Sequence, residues 1–305
     1  MPNRTPPAID PAAPGSAVVA ACLAATWFIW GSTYLAIKWA LTSLPPLFQM
    51  GTRFIAAGLL VGAWARWRGA PGPSRREWVN AAWLGALMLG GGYGGTALAE
   101  VTVGSGLVVA FIAVTPALVA IAQWPYGVRP TALESAGITL GLAGVLLLVR
   151  GQGFAASPAG LAAMVLACTT WALGSVWSLR GLPGGRDLAL APGAAGYSSQ
   201  MLIGGAMLLA ASVAAGEQPR WPPDSRALAC WAYLVVAGSL LGFLAYMELL
   251  RRTSMMLASS YTFVNPVIAL LLGVGLGGER VSQLEWSAAG VVLVGVVMLL
   301  LGRRR

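Results

Sequence analysis

A chain of 305 residues in which 57% are hydrophobic and only 10% charged is too apolar for a water-soluble globule, where about 25% charge is usual. It has no histidine and three scattered cysteines, which removes the commonest general base and metal ligand and argues against metal or disulfide chemistry. The net charge of +9 would suit nucleic acid, but the basic residues gather beside apolar stretches, so the charge is read as a membrane-topology signal.

Apolar stretches near 20 residues, the length that crosses a bilayer, fall at 17–39, 46–66, 77–97, 103–125, 132–150, 158–179, 194–215, 226–247, 255–277 and 283–302. Residues 1–16, rich in Pro and Ala, read as a disordered cytoplasmic tail. Span 1 sets Trp27, Trp30, Gly31, Tyr34 and Lys38 on one helical face. Trp30 falls near mid-membrane, where an indole N–H needs a partner, so it is expected to face the interior of the bundle. Tryptophans at span ends (Trp39, Trp64, Trp67, Trp78, Trp124, Trp221, Trp286) read instead as an interfacial belt.

Span 2 holds Arg53 about two helical turns from its outer end. Three readings stay open for it: snorkelling to the interface, anchoring a substrate carboxylate, or gating against Glu100. Span 3 contains Gly90-Gly91-Gly92-Tyr93-Gly94-Gly95. Each Gly costs a helix about 1 kcal/mol relative to Ala, so a thin or unwound segment that admits a neighbour or a ligand is expected. In spans 4 and 9, Thr115-Pro116 and Asn265-Pro266 lie near the centre. Each proline frees the carbonyl four residues back, which predicts a pair of hinges or of plain structural kinks. Span 6 echoes span 1 with a mid-membrane Trp171 followed by Gly174 and Ser175, and Tyr93 and Tyr261 complete a candidate aromatic cavity.

The echo is general. Ile112 to Pro116 reads against Thr262 to Pro266, and Gly31-Ser32-Thr33-Tyr34 against Gly174-Ser175-Val176-Trp177. Loop 181–193 is the longest break and also invites a boundary, but the repeat divides the chain into 17–150 and 158–302. Five spans per copy force the second to be inverted relative to the first. The expected fold is therefore an all-α polytopic membrane protein, ten transmembrane helices as two inverted five-helix repeats. Thirteen of the 19 Lys and Arg fall on the side of both termini and five on the other, which puts the termini in the cytoplasm. All ten acidic residues lie in tails, loops or span ends, so no proton relay is expected at depth.

Trp30-Gly31-Ser32-Thr33-Tyr34, Pro45-Pro46 leading into Arg53-Phe54, and the two proline centres resemble EamA-type members of the drug/metabolite transporter superfamily, over 17–302. The resemblance implies an inner-membrane carrier with a central cavity and, from its bacterial amino-acid and metabolite exporters, a cargo of that kind. Its aromatic amino acid exporters line the cavity from spans 3, 4 and 6; Tyr93 and Trp171 match those positions, whereas Thr115 replaces an aromatic and broadens the expected range. The expectation is a non-enzyme without cofactor, exporting a small molecule by alternating access and probing no nucleic acid. Its partners are that cargo and membrane lipid; the oligomeric state stays open, a monomer among the options. Substrate-binding candidates are Trp30, Tyr34, Tyr93, Thr115, Trp171, Ser175, Tyr261 and Asn265, with Pro116 and Pro266 as hinges. A phosphate-ester or nucleotide-sugar carrier and a passive channel are the rival readings.

Overall fold

The structure, a computed structural model, describes residues 14–103, 108, 111–148, 157–277 and 282–302. The expected tail lies outside these up to residue 13. Its last three residues already belong to the first helix, α1 (Pro14–Ala40). There follow α2 (Pro46–Trp67), α3 (Arg75–Leu84), α4 (Gly95–Glu100), α5 (Thr115–Ala122), α6 (Ala132–Leu148) and α7 (Pro158–Arg180). The remainder are α8 (Ala194–Ala214), α9 (Ser225–Tyr233), α10 (Phe243–Arg252), α11 (Met255–Ala258), α12 (Tyr261–Gly277) and α13 (Gln283–Gly302). No strand occurs among the described residues. Five helices, Pro46–Trp67, Pro158–Arg180, Ala194–Ala214, Ser225–Arg252 and Gln283–Gly302, are long and apolar enough to cross a membrane, and Ala17–Thr33 and Ala132–Leu147 are shorter apolar stretches.

Two of these elements are not α-helical throughout. Between α3 and α4, Gly85–Gly94 forms a π-helix, and between α9 and α10, Leu234–Gly242 does the same. The glycine run of span 3 is thus widened, not unwound. The i→i+5 bonding of a π turn keeps every carbonyl engaged, which hydrocarbon surroundings demand. It does admit neighbours: a side chain on Gly91 would collide with Thr170 of α7, and a Cβ on Gly95 would stand 2.9 Å from the Ala163 carbonyl.

Span 4 also departs from expectation. It is not one kinked helix, because a turn at 113–114 precedes α5 and Pro116 is only the second residue of that helix. The chain is helical at 111–112 as well, so the break falls at the turn 113–114, and Pro116 sits in the first turn of the helix that resumes after it, where its missing N–H costs no intrahelical bond. Pro266 does lie inside a continuous helix, α12, as expected.

The two halves of the chain interlock. α2 packs along α8 and α6 along α13, while α1 lies on α9, the second π segment, α10 and α12. Small residues set these distances: a Cβ on Gly137 would stand 2.8 Å from the carbonyl oxygen of Gly295. Of the expected belt, Trp64, Trp67, Trp78, Trp124, Trp221 and Trp286 are exposed, whereas Trp39 is covered by the Arg226 guanidinium at 3.7 Å. The three cysteines are free thiols. Loop 181–193 is tied down, with Leu182 N donating to Arg186 O at 2.8 Å and Asn80 Nδ2 to Ala189 O at 2.9 Å.

A polar clasp joins the halves at one end of the bundle. Glu217 accepts from the backbone N–H groups of Leu47 (3.0 Å) and Phe48 (2.8 Å) and from Ser212 Oγ (2.7 Å). Asp224 caps α9 through Ala227 N at 2.7 Å and also accepts from Thr42 Oγ1 (2.8 Å) and Ser43 Oγ (2.7 Å). The Ala227 N–H, then the two hydroxyls, hold the Asp224 carboxyl down at about 2.

Candidate functional site

A cavity of about 90 Å³ opens where the halves meet. Its first-half wall includes Trp30, Met50, Arg53, Tyr93, Glu100 and Thr115; its second-half wall comprises Ala167, Cys168, Trp171, Tyr261 and Asn265. From Trp30 to Ile37, and from Gly92 to Glu100, it runs along the helices for about 10 Å at 1.5 Å per residue. It therefore extends from mid-bundle toward the end that carries the clasp.

Trp30 is the hub of its floor. The indole centroid lies 4.5 Å from Tyr261, 5.4 Å from Tyr246, 5.8 Å from Trp171 and 6.5 Å from Tyr93. Edge-to-face packing suits the ring quadrupoles. Its N–H donates to the Gly238 carbonyl, in the second π segment, at 3.0 Å. Only glycine fits opposite: a side chain on Gly242 would collide with the indole nitrogen. Trp171 occupies the matching notch, with Cε3 3.0 Å from where a Cβ on Gly92 would be. The Tyr246 hydroxyl comes close to its indole, yet no acceptor stands in hydrogen-bonding geometry to Trp171 Nε1, which is buried.

Polar groups complete the wall. Asn265 turns its amide nitrogen to the carbonyls of Tyr261 (3.0 Å) and Trp27 (3.2 Å), fixing α12 against α1. Arg53 is 1% exposed, with its guanidinium carbon 4.9 Å from the Phe54 ring centroid and 5.0 Å from that of Tyr93. It does not snorkel. Its Nε and Nη1 have no hydrogen-bond partner, and no ion pair within 4 Å joins it to Glu100.

The cavity gathers Trp30, Arg53, Tyr93, Thr115, Trp171, Tyr261 and Asn265 of the sequence candidates. Ser175 stands behind the wall, where its hydroxyl meets Tyr246 Oη at 2.8 Å and donates to the Trp171 carbonyl at 2.8 Å. The side chain of Tyr34 lies outside the described residues. Sequence reasoning missed Tyr246, which lies one residue from the expected end of span 8 and so read as an interfacial residue. Its spacing of four from Gly242, inside an interior-facing glycine pattern, was the available signal. It also missed Met50, Thr96 and Cys168, residues too ordinary in an apolar helix to stand out. Among the described residues, no group of His, Cys, Asp and Glu is arranged to hold a metal.

A helical bundle embedded in a membrane, with a cavity walled by both halves of its chain, is the build of a small-molecule transporter. The EamA-like transporter family model matches twice, at residues 16–150 and 158–301. The chain belongs to the EamA-like transporter family, as an inner-membrane protein of several spans. The two matches are separated by residues 151–157. It is 38% identical over 282 residues to the uncharacterized inner membrane transporter YedA of Escherichia coli (strain K12), covering 92% of this chain and 90% of that one. It is 27% identical over 274 residues to protein PecM of Dickeya dadantii, covering 89% and 86%. A solved crystal structure of another protein superposes with a TM-score of 0.77 over 94% of this chain and 98% of that chain at 20% identity, a likeness of fold.

Proposed function

We propose that the protein exports amino acids or related small metabolites by alternating access between two inverted five-helix halves, 17–150 and 158–302. In this reading the ten spans leave both termini in the cytoplasm, so the clasp is periplasmic and the cavity extends toward the periplasm. The aromatic floor of Trp30, Trp171, Tyr246 and Tyr261 then closes the cytoplasmic side, an outward-facing arrangement. Movement is facilitated, since Glu100 is the one acidic residue on the wall among the described residues and no chain of acidic groups leads from it through the bundle.

The observation that carries the reading is the shared wall, because a cavity walled by both halves changes shape whenever they rock against each other. The π segments supply backbone whose register can shift by one residue where π and α bonding interchange. Trp30, Tyr93, Thr115, Trp171, Tyr261 and Asn265 contact cargo, the N–H of Trp171 being a buried donor outside good hydrogen-bonding geometry to the Tyr246 hydroxyl. Pro266 lies inside α12 and Pro116 in the first turn of α5, so Pro266 is the hinge of α12 and Pro116, with the turn at 113–114, that of span 4. A nucleotide sugar or phosphate ester asks for several cations, and among the described residues the wall offers Arg53.

The test is counterflow in proteoliposomes, using a panel of the common amino acids and nucleosides with and without a pH gradient. Saturable amino-acid counterflow, insensitive to the gradient and strongly reduced by Trp171→Ala, is expected. Unchanged amino-acid flux in that variant, or counterflow confined to nucleosides, refutes the assignment, and non-saturable flux makes the protein a channel.

A further inference from the structure

Arg53 and Glu100, a base and an acid, line the same cavity and form no ion pair with each other. Arg53 stands about two turns into α2 and Glu100 ends α4, so both side chains project from helices into the cavity. A guanidinium this deep in the protein keeps its five N–H donors, and leaving them unused is costly. The rings of Phe54 and Tyr93 compensate the charge in part through their faces, but they accept no hydrogen bond in the guanidinium plane. Nε and Nη1 stay unpartnered. Glu100 has no ion-pair partner within 4 Å either.

A bare anion would satisfy Arg53 and face Glu100 with a like charge; a bare cation would do the reverse. A molecule carrying both charges a few ångströms apart answers both. Beyond this charged end, the cavity turns apolar and aromatic at Trp30, Tyr93, Trp171 and Tyr261. A cavity of about 90 Å³ suits a small head group and a short side chain.

We infer that Arg53 and Glu100 form a zwitterion subsite, Arg53 receiving the α-carboxylate and Glu100 the α-ammonium of an amino acid whose side chain points to the aromatic floor. The inference rests on the transport reading above and deepens it. It also assigns Arg53 to cargo, and makes Glu100 its complement in the site instead of a gate.

The test compares L-alanine with its two halves, propionate (no ammonium) and ethylamine (no carboxylate), and L-phenylalanine with 3-phenylpropionate and phenethylamine. Binding is read as a saturable rise in the thermal midpoint of the purified full-length protein, and counterflow is measured in parallel. The amino acids should bind roughly ten- to a hundredfold tighter than either half, L-alanine more tightly than L-phenylalanine. Arg53→Met and Glu100→Gln should each bring the amino acid down to the level of one half, and Arg53→Lys should recover part of the loss. Should Arg53→Met fail to fold, Glu100→Gln and the comparison of halves on the unaltered protein decide.

Propionate binding as well as L-alanine, with Glu100→Gln indifferent, overturns the zwitterion site in favour of a plain anion site. Ethylamine binding as well as L-alanine overturns it too. Binding with the expected pattern but no counterflow keeps the subsite and sinks the carrier reading. Counterflow of amino acids unaffected by either substitution keeps the carrier and sinks the subsite, and an absence of both defeats the two together.

Discussion

Trp30 and Trp171 occupy equivalent places in the two halves, each with its indole in a glycine notch of the π segment contributed by the other half. They use their N–H groups differently. Trp30 donates to Gly238 O at 3.0 Å and is thereby part of the scaffold. Trp171 turns its buried N–H toward the Tyr246 hydroxyl, outside good hydrogen-bonding geometry, on the wall of the cavity. One indole is hydrogen-bonded into the scaffold, and the other is held by packing against its glycine notch and its ring neighbours.

The helix starts beneath these notches differ in the same sense. Ser74 caps α3 locally, in a capping box with Glu77, and its N–H donates to Glu77 Oε2 at 2.7 Å. Asp224 caps α9 and reaches beyond it to Thr42 and Ser43 of the other half. One cap is private to its helix; the other also ties the two halves together.

The largest effect that would break the comparison is a crossed pair of tryptophan variants. Trp30→Phe keeps a ring in the notch but strips the Gly238 carbonyl of its indole partner, a loss of about 1 kcal/mol. Trp171→Phe removes a donor held outside good hydrogen-bonding geometry, so its stability cost should be the smaller, confined to packing. Transport should show the opposite order, Trp171→Phe slowing counterflow more than Trp30→Phe. Thermal midpoints and initial rates on the same preparations measure both, and equal effects of the two variants on both readouts would erase the distinction.

A smaller effect concerns the caps. The Asp224 carboxyl is held at about 2, below its ordinary 3.8. A depressed carboxyl contributes stability that is complete above the ordinary value and is lost as pH falls through the depressed one. Between pH 4 and pH 2 the clasp should therefore loosen, seen as faster thiol labelling of Ser43→Cys than at pH 6, with a label reactive across that range. Asp224→Asn, which keeps a capping oxygen but loses the charge, should flatten this dependence. Labelling with the same pH profile in Asp224→Asn would show that another group controls the loosening.

Much of the site was legible in the sequence because membrane depth sorts residues by cost. Indoles and a charge far from an interface need a reason to be there, and Trp30, Trp171 and Arg53 do face the cavity. The glycine run marked the place where helices approach, but not its form. Whether weak helix widens into a π turn or unwinds depends on what packs against it, here Thr170 and Trp171. The second π segment carries only Gly238 and Gly242 and gave no such warning. The prolines show the same limit. Pro116 and Pro266 look alike in the sequence, yet one starts a helix and the other lies within one, because the preceding turns fall at 113–114 and 259–260. Tyr246 escaped notice because its role arises from a contact with Ser175, 71 residues away in the chain.

The central claim is that cargo passes through the cavity between the halves, and Cys168, a native thiol on its wall, tests this most directly. In a Cys22→Ala, Cys230→Ala background, methyl methanethiosulfonate should modify Cys168, and amino-acid counterflow should fall in step with the extent of modification. Saturating amino acid should slow the modification by the occupancy it achieves. Complete modification of Cys168 with undiminished counterflow, and no protection by amino acid, would contradict the account.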